Sequence, residues 1–408
     1  MRNRMIMMSA ALGLAAQTAW AAPRHDASAA ANAPLTQRVD HIIDAAIGEK
    51  RIVGTVVVVL RDGKVIYHRA AGLADRESRR PMREDTVFRL ASMSKAIVSA
   101  SALKLIDEGK LRLNDPVTRW IPSFRPKLKD GRTPAITVRE LLSHTAGLNY
   151  GFFEPLNGPY HKLGVSDGLD NPGISLNENL RRISSAPLLY QPGTAWNYSL
   201  SIDVLGAVVS KAGGSDLPSV VRRTVTGPLG MKDTDFFARS PQRLATPYSD
   251  AKPEPHRMSD PERFPFGGSA VVYSPSRATN RTAFPSGGAG MVGTAADYVT
   301  FLETIRKGGG KILSSKSDWA MTHNQVGNIL VTAAGKGWGW GLGFAVLKDP
   351  TPTHSPLTPG SWQWGGAYGS SYWVDPKEKL TVVALTNTAV EGMSGQFAQD
   401  VKRAVYGR

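Results

Sequence analysis

The stretch that organises this chain runs 87-VFRLASMSKAIVSASALKLI-106. In its second half apolar residues recur at helical spacing, and Ala and Leu are strong helix formers. Glu108-Gly109 then supplies a stop signal. Ser92 is therefore expected at or near the N-terminus of a helix. Unpaired backbone N–H groups and the helix dipole favour developing negative charge at that position.

Lys95 follows Ser92 by three residues and so projects from the same helix face. An ammonium or amine within reach of a serine hydroxyl can hold a base ready or act as one, which makes Ser-x-x-Lys a mechanism as well as a pattern. Two other segments match the same pattern, Ser101 to Lys104 and Ser249 to Lys252. The first lies in mid-helix and the second in a Pro-rich loop. Only Ser92 has the context that a nucleophile needs.

The N-terminus has the features of a secretory signal. Residues 1–21 combine a charged start, an apolar run and the small-x-small end Ala19-Trp20-Ala21. We expect cleavage near Ala21 or Ala22, a linker over 22–33, and a periplasmic or secreted protein. No later apolar run is long enough for a membrane span, so none is expected after signal cleavage.

Composition excludes several classes of function. The chain has 408 residues, 41% hydrophobic, with no cysteine and a formal net charge of +15. The lack of cysteine rules out disulfides, thiol nucleophiles and Cys-based zinc sites. No Lys/Arg-rich run is present, which disfavours nucleic-acid binding. The histidines show no metal-ligand spacing, so neither a metal nor a cofactor is expected.

Strand-like patterns lie at both ends of the chain, with helical patterns between them. The strands are predicted at 52–60, 65–68, 341–346, 371–374 and 380–385. This indicates an α/β (α+β) fold: one antiparallel sheet from both chain ends, flanked by helices, with a largely helical inserted part. The predicted domain spans 34–408, with 34–90 and 290–408 forming the sheet-containing part and 91–289 the helical part. Long loops at 149–178 and 237–286 are interpreted as pocket walls.

A serine nucleophile also needs a proton acceptor and an oxyanion hole from distant segments. Residues 191–200 place Tyr198 at a turn before a helical pattern. Residues 360–369 form an aromatic, glycine-rich strand where backbone can approach a ligand closely. No Gly-x-Ser-x-Gly elbow is present. His144 is interpreted as a structural, hydrogen-bonded histidine.

Four ordered motifs resemble the serine hydrolases of the class C β-lactamase and D-alanyl-D-alanine carboxypeptidase superfamily, above all its family VIII carboxylesterases. They are Ser92-Met93-Ser94-Lys95, the segment 141–148, Pro192-Gly193-Thr194 leading to Tyr198, and Gly287-Gly288-Ala289-Gly290-Met291. The resemblance implies a Ser92 nucleophile, Lys95 and Tyr198 as the proton-transfer pair, and an oxyanion hole from the backbone N–H groups of Ser92 and Ala367. Which member of that pair is the general base stays open.

Two departures from the β-lactamase pattern bear on the substrate. Leu200 stands where those enzymes usually carry an amide-binding Asn, and Trp364-Gly365-Gly366 replaces the cationic Lys-Thr-Gly or His-Thr-Gly strand. Trp-Gly-Gly resembles family VIII esterases. We therefore expect Leu200, Trp364, Gly365 and Gly366 to line a pocket for an uncharged acyl or alcohol group.

Three hypotheses follow for a small-molecule substrate. The first is an exported carboxylesterase that cleaves short-chain uncharged esters through an acyl-enzyme on Ser92. The second is a β-lactamase or a D-amino-acid-specific peptidase. The third is a penicillin-binding-like module without turnover, which would not need all three of Ser92, Lys95 and Tyr198. The sequence leaves the natural substrate and the oligomeric state open.

Overall fold

A computed structural model describes residues 34–353 and 355–408. The predicted signal peptide (1–21) and linker (22–33) lie outside the described residues. Within the described part, no helix is both long and apolar enough to cross a membrane.

One eight-stranded antiparallel sheet is built from the two ends of the chain, as predicted. The strands of the described chain, in chain order, are β1 Gly54–Arg61, β2 Lys64–Asp75, β3 Arg80–Pro81, β4 Phe88–Arg89, β5 Tyr248–Ser249, β6 His256–Arg257, β7 Glu262–Phe266, β8 Ser269–Tyr273, β9 Val292–Gly293, β10 Trp338–Trp340, β11 Ala345–Leu347, β12 Trp362–Gly366, β13 Ser370–Asp375 and β14 Leu380–Thr386. The large sheet has the strand order β10-β11-β12-β13-β14-β1-β2-β3, and β4 to β9 form separate two-stranded pairs.

The apolar strand β1 is central, because it pairs with β14 on one side and β2 on the other. The β1–β2 turn uses Asp62 at φ 51° and Gly63 at φ 80°, the left-handed pair that a tight hairpin requires. Strand β2 continues to Asp75. It extends beyond the strand predicted at 65–68, because residues 70–72 pair with β1 and Leu73 and Asp75 pair with β3, which outweighs the weak strand propensity of Ala and Gly.

The strand predicted at 341–346 is also incorrect in its bounds. Strand β10 ends at Trp340 and β11 begins at Ala345, so a turn occupies most of that range. A Cβ on Gly341 would lie 2.2 Å from the Met321 carbonyl oxygen. The glycine therefore allows the turn to pack directly on a neighbouring helix.

The helices cover the sheet and fill the middle of the chain. Their bounds are α1 Leu35–Gly48, α2 Ser94–Asp107, α3 Val138–Leu142, α4 Pro159–Lys162, α5 Leu176–Ser185, α6 Ser201–Gly213, α7 Leu217–Val221, α8 Ala295–Arg306, α9 Ser315–Thr322, α10 Ala389–Met393 and α11 Gln396–Tyr406. The middle of the chain also carries the β7–β8 hairpin.

Helices α8 and α11 lie on opposite faces of the sheet. Thr381 of β14 donates to Glu303 of α8 at 2.8 Å, whereas Lys402 of α11 donates to Gln363 of β12 at 2.7 Å. Gln363 pairs with Trp373, and Trp373 pairs with Val382, so Gln363 and Val382 point to the same face of the sheet. Thr381 precedes Val382 in β14 and therefore points to the opposite face. Helix α1 packs beside α11, with Arg38 donating to the Ala404 carbonyl at 2.7 Å.

Candidate active site

Ser92 lies in a 3-10 turn, Ala91–Met93, that leads directly into α2. This agrees with the expected helix N-terminus. Ala91 adopts φ 45°, a left-handed conformation that costs a residue with a Cβ roughly 1–2 kcal/mol. Strand β9 and the residue before it support this turn. Strand β4 pairs with β9, and the Leu90 N–H donates to the Met291 carbonyl at 2.9 Å. Backbone strain of this kind concentrates at functional sites.

The Lys95 amine lies beside the serine hydroxyl. Its Nζ donates to Ser92 Oγ at 3.2 Å and to the Gly288 carbonyl at 2.7 Å. The side chain is buried, with Nζ 4.6 Å from the ring centroid of Tyr198 and 5.3 Å from that of Tyr150. Burial lowers the pKa of Lys95 to about 7, although nearby carboxylates oppose the shift. A substantial fraction of the amine is therefore unprotonated at neutral pH.

Tyr198 completes the group, because the segment before α6 brings it against both Lys95 and strand β12. Trp364 Nε1 donates to the Tyr198 hydroxyl at 3.1 Å. Burial raises the pKa of Tyr198, and the hydrogen bonds with Ser92 and Trp364 only partly offset that rise. The phenol therefore stays protonated at neutral pH in the free protein.

The end of β12 lies directly against the serine turn. A Cβ on Gly366 would stand 2.2 Å from the Leu90 carbonyl oxygen, so only glycine permits this approach. Among the described residues, the backbone N–H groups of Ser92 and Ala367 have no hydrogen-bond acceptor. Two free N–H groups beside a serine hydroxyl are the donors that an oxyanion requires.

Ser92, Tyr198 and Trp364 open into a cavity of about 490 Å³. One wall is aromatic and comes from the two long loops that the sequence indicated as pocket walls: Tyr150, Phe152, Phe153, Phe264, Phe266 and Tyr273. Tyr150 and Phe152 stack with ring centroids 4.6 Å apart. Asp167 also lines this region and accepts from the Gly151 N–H at 2.8 Å, while burial raises its pKa to about 7.

The four residues predicted to line the substrate pocket fall into two groups. Trp364 and Gly365 line the cavity. Leu200 does not, because its side chain is fully buried just before α6 and packs in the hydrophobic core. Gly366 does not either, because it is the buried spacer between β12 and Leu90. The expected contact of Leu200 with substrate is therefore corrected to a core position.

The competing serine motifs lie elsewhere. Ser101 is fully buried in α2 and shares a hydrogen bond of 2.7 Å with Thr224. Ser249 lies in the short strand β5. His144 is buried, with Nδ1 3.4 Å from Ser199 Oγ, and burial lowers its pKa well below the ordinary value. His144 is thus a neutral packing residue, as expected.

Several residues of the site were not identified from the sequence as functional. Tyr150 contacts the lysine, Gly288 accepts its hydrogen bond, and Asp203 lies behind Gly288, where a glycine Cβ would stand 2.3 Å from its carboxylate. Asp203 is buried and accepts from Ser286 Oγ at 2.5 Å. A signal for Asp203 did exist in the sequence, since it is the one charged residue within the apolar run 202–209. In the described residues no cluster of His, Cys, Asp or Glu could hold a metal ion.

Comparison with known proteins agrees with this geometry. Residues 39–406 match the sequence model of the beta-lactamase family. Esterase EstB of Burkholderia gladioli is 48% identical over 92% of this chain and 96% of its own length. The structure of EstCE1, described as a hydrolase with promiscuous acyltransferase activity, is 45% identical, covers 91% of this chain and 98% of its own, and superposes with a TM-score of 0.89. Simvastatin synthase from Aspergillus terreus, at 22% identity and a TM-score of 0.72 over 93% of this chain and 96% of its own, shares the fold. The chain therefore belongs to the beta-lactamase family of serine hydrolases.

Proposed function

We propose that the protein is a carboxylesterase that cleaves short-chain uncharged esters through an acyl-enzyme on Ser92. The observation that carries this proposal is the contact of Ser92, Lys95 and Tyr198 beside two free backbone N–H groups, at the end of an aromatic cavity. The similarity to Esterase EstB and to the EstCE1 hydrolase supports the ester substrate.

The proton path follows from the two pKa directions. Lys95, with a pKa of about 7, is partly unprotonated, whereas the raised pKa of Tyr198 keeps the phenol protonated. Ser92 Oγ attacks the ester carbonyl, its proton passes to the Lys95 amine, and the N–H groups of Ser92 and Ala367 hold the oxyanion. Tyr198 then donates its proton to the leaving alkoxide and regains one from Lys95. Water, activated by the same pair, hydrolyses the acyl-enzyme.

The wall around Ser92 favours an uncharged substrate. Trp364 occupies the strand position where β-lactamases carry a cation, and its indole N–H is engaged by Tyr198. Asp167, the one carboxylate among the described residues of the cavity wall, would repel an acid placed beside it. A β-lactamase or a D-amino-acid-specific peptidase needs a carboxylate partner near this strand and is therefore the second candidate.

A substrate panel separates these functions. The purified protein is assayed with p-nitrophenyl butyrate, a chromogenic cephalosporin and a D-alanyl-D-alanine peptide, and Ser92→Ala is compared with Ser101→Ala. We expect rapid hydrolysis of the butyrate only, lost by several orders of magnitude in Ser92→Ala and retained in Ser101→Ala. Equal turnover of the cephalosporin would overturn the esterase assignment. Acylation without turnover of any substrate would indicate a penicillin-binding-like module instead.

We also propose that the protein is exported, on the strength of the signal pattern at residues 1–21. Expression of the full chain in a Gram-negative host and N-terminal sequencing of the periplasmic fraction tests this. A mature protein that begins near residue 22 is expected. Recovery of uncleaved protein from the cytoplasm would contradict export.

A further inference from the structure

The catalytic cavity continues past the serine to the opposite face of the sheet. Strand β11 pairs only with Trp362 and Gln363 of β12, so the described chain leaves that edge of β12 unpaired from Trp364 to Gly366. Trp364 points to the α8 face, while Gln363 and Gly365 point to the α11 face, yet all three line one cavity. Because β13 closes the other edge of β12, the cavity passes around the free edge.

A cation stands at the far end of this cavity. Lys402 of α11 lines it, is partly buried, and donates from Nζ to Gln363 Oε1 at 2.7 Å, with Nζ 5.4 Å from the Trp373 ring centroid. Among the described residues it makes no ion pair, in contrast to its neighbour Arg403, which is paired with Asp400. A partly desolvated ammonium held only by an amide oxygen and a ring is costly unless an anion joins it.

Two carboxylates on and beside α11 are engaged elsewhere, because Asp400 pairs with Arg403 and Asp375 accepts from Tyr406. The described groups that line the cavities next to Lys402 are neutral or positively charged. Asp167 lies at the other end of the cavity, beside Gly151 and Phe152. Ser371 lines the α11 side, and its buried Oγ has no hydrogen-bond partner in the described structure. Gln363, Gln399 and Lys402 also line a second cavity of about 310 Å³, whose described lining includes Lys336 and Arg403 and no carboxylate. The far end is thus open as well as cationic.

We propose that Lys402 forms a carboxylate-binding subsite of the catalytic cavity, so that the enzyme accepts esters that carry a carboxylate remote from the scissile bond. This rests on the proposed esterase function and extends its substrate class beyond short uncharged esters. The neutral reacting group lies beside Ser92 and Trp364. The chain runs around the free edge of β12, and its carboxylate meets the Lys402 ammonium, with Ser371 Oγ as a neutral donor nearby.

The length of chain that such a substrate needs can be estimated from the separation of residues along β12. Gln363 lies in β12 and Ala367 directly follows its last residue, so four steps of about 3.3 Å separate their Cα atoms by about 13 Å. A longer dicarboxylic acid comes closer to that separation than a short one, so the contribution of Lys402 should grow from adipic to sebacic acid. Burial lowers the pKa of Lys402 to about 8, and a bound carboxylate would raise it again.

The kinetic experiment compares kcat/KM for p-nitrophenyl butyrate with that for p-nitrophenyl half-esters of adipic, suberic and sebacic acids. A second series of butyrate esters of ω-hydroxy acids places the carboxylate on the alcohol side. Lys402→Met removes the charge at similar volume, Lys402→Arg keeps a cation, and Lys211→Met removes an exposed lysine elsewhere.

We expect Lys402→Met to lower the ratio of kcat/KM on one carboxylate series to kcat/KM on the neutral butyrate by about ten- to a hundredfold, as the loss of one charge-assisted hydrogen bond predicts. Lys402→Arg should recover most of this, and Lys211→Met should match wild type. Equal kcat/KM of wild type and Lys402→Met on both series would overturn the subsite while leaving the esterase function intact.

Binding to the Lys402 subsite can also be measured without ester turnover. Calorimetry of Ser92→Ala with monomethyl suberate, whose ester end is neutral, at a pH near 8 should show binding coupled to proton uptake, visible as a heat that changes with the ionisation enthalpy of the buffer. The Ser92→Ala, Lys402→Met double variant should lose both the affinity and the proton uptake. Undiminished binding of monomethyl suberate by the double variant would overturn the proposal.

Discussion

Among the single residues, Lys95 is the group whose ionisation would control the proposed reaction. Its pKa of about 7 arises mainly from burial, so the unprotonated amine increases as pH rises through neutrality. We therefore predict that kcat/KM for p-nitrophenyl butyrate rises about tenfold per pH unit below 7 and levels off above it. A pH–rate profile of the wild-type protein measures this.

Asp167 is the control for that profile, because its pKa is also about 7 and it lies in the same cavity. The nearby Asp167 carboxylate raises the pKa of Lys95. Asp167→Asn should consequently keep the rise and move its midpoint to lower pH. A profile that becomes flat in Asp167→Asn would assign the ionisation to the aspartate and contradict the role given to Lys95.

Trp364 has a second role that its motif position did not reveal. Its indole N–H donates to the Tyr198 hydroxyl at 3.1 Å, which orients the phenol and favours charge on its oxygen. Trp364→Phe keeps an aromatic wall and removes the donor. We predict that kcat for the butyrate ester falls about tenfold, the worth of one hydrogen bond to a partly charged group, while KM changes little. A change confined to KM would indicate that Trp364 acts only as a wall.

Among the secondary-structure elements, the approach of β12 to the serine turn sets the geometry of the proposed active site. Gly366 allows this approach, since a Cβ there would stand 2.2 Å from the Leu90 carbonyl oxygen. Gly366→Ala must push β12 away from the turn and separate the N–H groups of Ala367 and Ser92. We predict a loss of about 1–3 kcal/mol in the free energy of unfolding, together with a large fall in kcat.

Chemical denaturation and steady-state kinetics measure the two effects. Gly48→Ala at the end of α1 is the matched control, because a Cβ there meets nothing within 4 Å. It should leave both quantities near wild type. Wild-type activity in Gly366→Ala would contradict the spacing role of this glycine.

Some helices and strands could be predicted from the sequence, and others could not. Helix α2 and the central strand β1 were predictable, because long apolar periodic segments are decided locally. The β7–β8 hairpin was assigned to a loop, although two alternating runs meet at Gly267-Gly268, a turn signal. Pro265 within the first run weakened that signal. The hairpin supplies Phe264 and Phe266 to the cavity, so a part of the pocket wall was identified only as a loop.

Across the whole molecule, the sheet from both ends and the contact of Ser92, Lys95 and Tyr198 followed from motifs in the chain. The position of Leu200 did not, because burial depends on how α6 packs and one residue of sequence does not reveal it. Lys402 was equally hidden, since its place in the cavity depends on how α11 crosses strands that are distant in sequence. Motifs therefore predicted which groups meet at the proposed active site, and tertiary packing decided what surrounds them.

Rapid-quench mass spectrometry can show directly whether Ser92 carries the acyl group. The protein is mixed with excess p-nitrophenyl butyrate, quenched in acid within the first turnover, and digested. We expect a butyryl mass increment on the peptide that contains Ser92, appearing with the burst of p-nitrophenol and absent from Ser92→Ala. A burst whose butyryl group is found on Ser101 or on another residue, or one that persists in Ser92→Ala, would contradict it.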